Sequence, residues 1–312
     1  MADPEKPGPT ERQPTLGHRV QYLAYRVGLG LLRWIPEPLS LAMGEGLGWF
    51  VGVVLGVRRK VVREHLQLAF SQKDEAWRRR ILRASFRHVG REAVATFLLG
   101  RMTREEVIQR SEVEGLEALQ EAVAEGRGVV LVTGHLGNWE MGGASLAARG
   151  IPLDAVAQRQ RNPLFHRDIT KNRENLGMKV ILRGHAPREV LRSLRRGRVA
   201  ALVADQNAKR SELFVDFFGR KAATARGAAV FALRTGSPIF LGRALRVKGS
   251  RARYHLKVSR VDFQTTGDPE KDAIRLTETH TQYLEEEIRK APEQYFWQHR
   301  RWKTRPPEEG DE

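Results

Sequence analysis

The chain has 312 residues, no cysteine and a formal net charge of +17, from 54 lysines and arginines against 37 acidic residues. Without cysteine it can form no disulfide and offers no thiolate nucleophile or cysteine-based metal site. The basic excess favours an anionic partner, which could be nucleic acid, a membrane surface, an acidic protein or a phosphorylated ligand. The length suffices for one large domain or two modest ones.

Residues 1–15 are rich in proline and polar residues and lack the apolar core of a signal peptide, so we predict a disordered tail and no secretion. Apolar segments follow at 20–35 and 39–57, and the second ends at Arg58-Arg59-Lys60. This pattern is typical of a membrane anchor with a cytoplasmic basic flank. Five glycines and Glu45 make the second segment a marginal span, so it could cross the bilayer, lie flat or form core helices.

A basic amphipathic helical pattern continues over residues 58–100. Its arginines fit a solvated helix face, or a face turned toward anionic lipid. We therefore predict a helical membrane-associated region at 16–100, a second domain at 101–306 and a short tail at 307–312.

From residue 113 onward, helical and strand-like patterns alternate. Helices are predicted at 116–125, 139–149, 164–176 and 188–195, and strands at 129–133, 153–158, 179–182 and 199–204. A short strand at 214–218, a helix at 226–235, a hairpin of 238–247 with 254–261 and a helix from Asp268-Pro269 follow. The order predicts an α/β fold with a central, largely parallel or mixed sheet flanked by helices.

The segment that leaves the strand at 129–133 contains a histidine followed five positions later by an acid, His135 and Glu140. Ligands of open α/β sheets bind at the carboxyl ends of the strands. An imidazole held by a carboxylate can act as a general base at neutral pH, so we expect Glu140 to orient His135. The alternative is that His135 ends a strand and Glu140 lies in the first turn of a helix, where the helix dipole favours an acid.

Three further polar clusters follow predicted strands. Asp205-Gln206-Asn207 comes after the strand at 199–204, so its side chains should converge with His135 on one crevice, although these residues also favour turns. A run of small residues and cations at 217–227, with Gly219 and Thr224, could bind an anion near a helix start. The third cluster, 158–163, contains Arg159 and Arg161.

The sequence contains no dinucleotide or phosphate-binding glycine motif, no nucleophile elbow and no histidine pattern typical of a metal site. His135 would then be a general base in an enzyme that has no nucleophile of its own. This implies that a substrate hydroxyl attacks an activated carbonyl directly.

Five motifs in a fixed order resemble the late acyltransferases of lipid A biosynthesis, within the lysophospholipid acyltransferase superfamily and its H-x4-[DE] motif. They are Gly134-His135-Leu136-Gly137-Asn138-Trp139-Glu140, Asp205-Gln206, 214–219 with Ala223-Thr224, 235–238 and 292–306. The resemblance covers about residues 20–306.

The resemblance implies an O-acyltransferase at the cytoplasmic face of the bacterial inner membrane. It would move a fatty acyl chain from acyl carrier protein to a hydroxyl of a phosphorylated lipid A precursor, without metal or other cofactor and without nucleic acid. His135 would be the base and Glu140 its orienting acid. The candidate substrate-binding residues are Asn138, Arg159, Arg161, Asp205, Gln206, Gly219 and Thr224.

One departure from the family pattern concerns position 158, where relatives commonly have arginine and this chain has Gln158. Arg159 or Arg161 could substitute. Two alternatives to the lipid A reaction stay open: acyl transfer from acyl-CoA to a lysophospholipid or phosphatidylinositol mannoside, and a non-catalytic basic protein that binds membrane or nucleic acid.

Overall fold

The computed structural model describes residues 13–208, 213–249 and 251–306. Nearly all of the predicted tail at 1–15, and all of the tail at 307–312, lies outside these residues. Within them the α-helices are α1 Leu16–Leu32, α2 Glu37–Trp49, α3 Arg59–Ala69, α4 Glu75–Leu99, α5 Arg104–Gln109, α6 Leu116–Ala124, α7 Trp139–Ala148, α8 Pro163–Asn175, α9 Ala186–Arg195, α10 Gly227–Thr235 and α11 Pro269–Lys290. A π-helical turn, Phe50–Val54, extends α2.

The central sheet has seven strands in the order β1-β9-β8-β2-β5-β3-β4. These are β1 Ser111–Glu114, β2 Val129–Gly137, β3 Leu153–Ala157, β4 Lys179–Leu182, β5 Val199–Val203, β8 Ile239–Arg246 and β9 Tyr254–Arg260. All neighbouring pairs are parallel except β8 with β9. The predicted α/β fold with a largely parallel sheet is confirmed, and β8 with β9 form the predicted hairpin.

The two faces of the sheet carry separate hydrophobic cores. One contains buried residues of α9, α10, α11 and the α3–α4 region, such as Val190, Ala229 and Leu284. The other contains those of α5, α6 and α7, such as Val107, Leu119 and Met141. Helices therefore cover both faces, as the βα alternation requires.

Three short elements are not predicted by the sequence patterns. Arg220–Ala223 is a strand, β7, which pairs antiparallel with β6 Phe214–Phe217 and lies within the run at 217–227 that was predicted to bind an anion. β1 lies at the edge of the sheet beside β9, and α5 precedes it. All three have six residues or fewer, too short to show a hydrophobic period.

The N-terminal helices expose a continuous apolar surface. Along α1, Leu16, Val20, Leu23, Val27 and Leu31 recur at intervals of three or four residues and are 53–79 % exposed. No single helix in the described residues is long and apolar enough to cross a bilayer. Glu37–Val54 and Arg59–Ala69 qualify only when taken together, and they are bent by 88°.

Glycines allow α2 to cross closely over α4. A Cβ built on Gly90 would lie 2.1 Å from the Gly44 carbonyl oxygen, and one on Gly48 would lie 2.2 Å from the Phe86 carbonyl oxygen. Backbone atoms cannot yield as a flexible side chain can, so any larger residue at the crossing must push the helices apart. This crossing connects α2 to the helix that lines the site described below.

We expect Gly90→Ala to lower the free energy of unfolding by roughly 1–3 kcal/mol, because the added methyl overpacks the helix crossing. Urea unfolding monitored by circular dichroism would measure the loss. Gly46→Ala on α2 is the matched control, since nothing lies within 4 Å of its Cβ position. An unchanged stability for Gly90→Ala would mean that α2 is not held against α4.

Candidate active site

The ends of two adjacent parallel strands bring a histidine and a carboxylate together. β2 pairs with β5, and Thr133 is in register with Val203. Beyond these partners, His135 Nδ1 lies 2.7 Å from Asp205 Oδ1, and the His135 backbone N–H donates to Asp205 Oδ2 at 2.8 Å. The predicted convergence of the two strand ends is therefore confirmed.

The carboxylate that holds the His135 ring is Asp205, and the expectation that Glu140 would make this contact is wrong. β2 continues through Gly137, whose φ of +65° turns the chain before α7 begins. Glu140 in the first turn of α7 instead accepts two hydrogen bonds from the Arg173 guanidinium of α8, one from Nε at 2.9 Å. Both side chains of this ion pair are 18 % exposed.

The hydrogen bonds fix the protonation pattern of His135. An ionised carboxylate only accepts hydrogen bonds, so Nδ1 carries the proton and Nε2 is the basic nitrogen. Burial by itself lowers the pKa of His135, but the charge and hydrogen bond of Asp205, helped by Glu140, raise it above its ordinary value. Burial conversely raises the pKa of Asp205, yet its contacts with His135 and the nearby Arg301 keep that pKa below the ordinary value. The result is an ionised acid beside a strengthened base.

The basic nitrogen of His135 points away from Asp205 and toward Gln206, whose side-chain nitrogen lies 3.2 Å from Nε2. The imidazole is 16 % exposed. Two aromatic side chains flank the ring: the Trp139 ring centroid lies 4.4 Å and the Phe296 centroid 6.0 Å from it. The ring is thus fixed by packing on its sides, and the nitrogen that can take a proton contacts the Gln206 side chain.

A cleft of about 270 Å³ opens beside His135 between α4 and the start of α7. Apolar groups on its wall include Val89, Ala93 and Phe97 of α4, together with Trp139 and Phe296. Its deeper wall is polar. There Glu92 accepts hydrogen bonds from the Tyr254 hydroxyl at 2.6 Å and the Asn138 amide at 3.0 Å. The cleft can therefore hold an apolar chain whose reactive end lies at His135.

Of the remaining predicted site residues, Asn138 lies at the cleft and the other four do not line it. Asn138 lines the cleft, and its side-chain oxygen also caps α7 by accepting from the Met141 N–H at 2.9 Å. Arg159 and Arg161 are exposed in the segment between β3 and α8. Gly219 lies in the turn between β6 and β7. Thr224 is fully buried and accepts from Arg301 at 2.6 Å, so the structure does not bring it to the cleft.

Sequence reasoning missed three residues that shape the site. Arg173 holds Glu140, Phe296 covers one side of the imidazole, and Tyr295 forms a bridge with Leu136 at the end of β2. The aromatic run at 295–297 was a visible signal, but nothing in the spacing connected it to β2. In the ranges that the structure describes, no three histidine or acidic side chains are grouped so that they could hold a metal ion.

Comparison with known proteins identifies the family. The family model for bacterial lipid A biosynthesis acyltransferase matches residues 10–304. The lipid A biosynthesis palmitoleoyltransferase of Escherichia coli K12 is 29 % identical over 284 residues, which covers 89 % of this chain and 90 % of that protein. The lipid A biosynthesis lauroyltransferase of the same organism is 28 % identical over 90 % of this chain and 91 % of its own length.

A relative that is named for a different acceptor is also similar. The phosphatidylinositol mannoside acyltransferase of Mycolicibacterium smegmatis is 31 % identical over 232 residues, covering 72 % of this chain and 75 % of that protein. All of these relatives are acyltransferases by name, which rules against a non-catalytic basic binding protein. The match of the lipid A model to nearly the whole sequence establishes that this chain belongs to the bacterial lipid A biosynthesis acyltransferases and is an O-acyltransferase.

Proposed function

We propose that this acyltransferase moves a fatty acyl chain from acyl carrier protein to a hydroxyl group of a phosphorylated lipid A precursor. The observation that carries the proposal is the His135–Asp205 pair, whose imidazole lines a largely apolar cleft. The family match supplies the reaction class. The net charge of +17 suits both an acidic carrier protein and a phosphorylated acceptor.

In the proposed mechanism, His135 is the general base. Nε2 removes the proton of the acceptor hydroxyl while that oxygen attacks the thioester carbonyl carbon, and a new ester C–O bond forms. The C–S bond then breaks, and the imidazolium returns the proton to the departing thiolate. Asp205 stabilises the imidazolium between these two steps and keeps the ring in the required tautomer.

Glu140 keeps a role in this proposal, although it does not hold the ring. Its charge helps to raise the pKa of His135, and Arg173 fixes its position in the wall of the cleft. A carboxylate that makes no hydrogen bond to the ring still supports the imidazolium through its electric field. The Glu140–Arg173 pair also joins α7 to α8 beside the cleft.

The apolar cleft offers a binding place for the acyl chain of the donor. Its apolar wall of Val89, Ala93 and Phe97 suits contact with a hydrocarbon, and its polar end at Glu92 limits how far that hydrocarbon can enter. The acceptor would approach the opposite side of the imidazole, near Gln206.

We also propose that α1 and α2 place the enzyme on the cytoplasmic face of the inner membrane. The exposed apolar residues of α1 form one stripe, and α2 and its π-helical extension add Leu39, Met43, Leu47, Phe50 and Val54. Arg58, Arg59 and Lys60 follow directly and suit the level of anionic headgroups. A helix of this kind lies in the interface with its apolar face in the acyl region.

Replacing either member of the pair should abolish most of the activity. We expect His135→Ala to lower kcat by at least about 10²-fold and Asp205→Asn by up to about 10⁴-fold, because Asn would favour the wrong tautomer. The assay offers acyl carrier protein thioester and lipid A precursor, and mass spectrometry detects the product. Asp216→Asn removes a half-exposed acid on β6 and is the control.

The same assay separates the competing functions. Acyl-CoA replaces the donor in one arm, and a phosphatidylinositol mannoside or a lysophospholipid replaces the acceptor in others. A preference for acyl-CoA would overturn the proposed donor, and a preference for one of the other lipids would overturn the proposed acceptor.

Because the pKa of His135 is raised, the activity should fall as the pH drops through that pKa and the base becomes protonated. Full activity of Asp205→Asn with a folded protein would remove Asp205 from the mechanism.

Membrane binding should depend on the apolar stripe of α1. Leu23→Glu combined with Val27→Glu should weaken binding to vesicles of phosphatidylethanolamine and phosphatidylglycerol by at least ~100-fold, since two apolar side chains lose burial in lipid. Co-sedimentation measures the bound fraction. Gln21→Glu, which adds charge on another face of α1, is the matched control. Equal binding by all variants would show that the stripe does not contact lipid.

A further inference from the structure

A second cavity, of about 420 Å³, lies where the turn between α3 and α4 meets the end of α11. Part of its wall is apolar. Phe70 and Trp77 line it with their ring centroids 5.0 Å apart, and Ile81 and Pro292 lie beside them. We call this cavity the second pocket, to distinguish it from the cleft at His135.

The rest of the wall is mainly cationic, with Lys73, Arg80 and Arg289. Arg289 already forms an ion pair with Glu285 at 2.6 Å. Neither Lys73 nor Arg80 forms an ion pair with any residue that the structure describes. Glu293 is the one acid among the nine lining residues. Two uncompensated cations in a concave site favour an anionic ligand.

The turn that contains Lys73 has a fixed shape. The Arg78 guanidinium donates to the Phe70 carbonyl at 3.2 Å and to the Ser71 carbonyl at 3.3 Å. Asp74 caps α4 by accepting from the Trp77 N–H at 2.6 Å. The second pocket is therefore formed before a ligand arrives, and little ordering of the backbone opposes binding.

The second pocket and the active-site cleft share two elements. On α4, Ile81 lines the pocket and His88 lines the cleft, and seven residues of α-helix span about 10 Å. In the segment after α11, Pro292 lines the pocket, while Gln294 and Phe296 line the cleft. A molecule bound in the second pocket is thus close enough to extend toward His135.

We propose that the second pocket binds a phosphorylated sugar of the acceptor, an inference that rests on the proposed function. Lys73 and Arg80 would bind the phosphate by charge-assisted hydrogen bonds. Lys73 Nζ lies 5.8 Å from the Trp77 ring centroid, so a sugar joined to that phosphate can lie against the indole. Glu293 can accept from sugar hydroxyl groups. This contact anchors the acceptor while a hydroxyl elsewhere on the molecule reacts at His135.

The binding experiment uses the full chain with glucose 6-phosphate, glucose and glycerol 3-phosphate as probes. NMR follows the indole N–H signal of Trp77, which Trp77→Phe identifies. We expect glucose 6-phosphate to shift this signal saturably. Glucose and glycerol 3-phosphate should each bind at least ~10-fold more weakly, because one lacks the phosphate and the other the sugar ring.

Two double variants of equal charge test the cations. Lys73→Gln with Arg80→Gln should weaken glucose 6-phosphate binding by at least ~10-fold. Arg83→Gln with Arg87→Gln is the matched control, since it removes two exposed cations of α4 that do not line the pocket. In the acyltransfer assay the first variant should raise KM for the lipid A precursor by at least ~10-fold and leave kcat nearly unchanged.

The outcomes separate this inference from the proposed function. Equal effects of the two double variants would overturn the second pocket, and so would a rise in KM for the acyl donor instead of the acceptor. Equal binding of glycerol 3-phosphate and glucose 6-phosphate would overturn the sugar and indicate a phospholipid headgroup. If glucose 6-phosphate binds as expected but the wild-type chain acylates no lipid A precursor, the proposed function fails and the pocket stands. Acylation with an unchanged KM in the Lys73→Gln, Arg80→Gln variant would refute the pocket alone.

Discussion

The site depends on the parallel register of β2 and β5. Thr133 is paired with Val203, and His135 and Asp205 each follow their strand partner by two residues. A shift of the register by one residue would turn one of the two side chains to the opposite face of the sheet. The hydrogen bond between them is therefore a consequence of strand pairing deep in the core, where Val129, Val130 and Val199 are fully buried. The stability of the sheet and the geometry of the site cannot be separated.

Buried charge is the second constraint, and the C-terminal segment resolves it. Asp205 would be costly inside the domain if it were alone. The segment that contains Tyr295 and Arg301 forms a bridge with Leu136 of β2, and the positive charge of Arg301 helps to lower the pKa of Asp205. The same segment covers the imidazole with Phe296. One stretch of chain thus closes the core, balances the carboxylate and shapes one wall of the cleft.

The sequence predicted the architecture of the fold better than it predicted the side-chain contacts. Alternating helix and strand patterns gave the sheet, and the polar residues at two strand ends gave the meeting of His135 and Asp205. The partner of His135 was misassigned because proximity along the chain suggested Glu140, five residues away. β2 runs on to Gly137, and the turn there directs Glu140 toward Arg173, which is 33 residues further along the chain. No local pattern shows which helix a side chain will meet after such a turn.

The position of α1 connects the cleft to the proposed membrane surface. Tyr25 of α1 packs on Phe97, whose ring lines the cleft, with centroids 5.4 Å apart. The Tyr22 hydroxyl donates to Asp168 of α8 at 2.6 Å, so the same helix is held at the rim from two sides. No residue of α1 is buried, so it is attached mainly through its aromatic side and leaves the apolar stripe free. An amphiphilic substrate in the lipid interface would then reach His135 past the edge of α1, without first passing through bulk water. This arrangement suits an acceptor whose acyl chains stay in the bilayer while its hydroxyl group reacts.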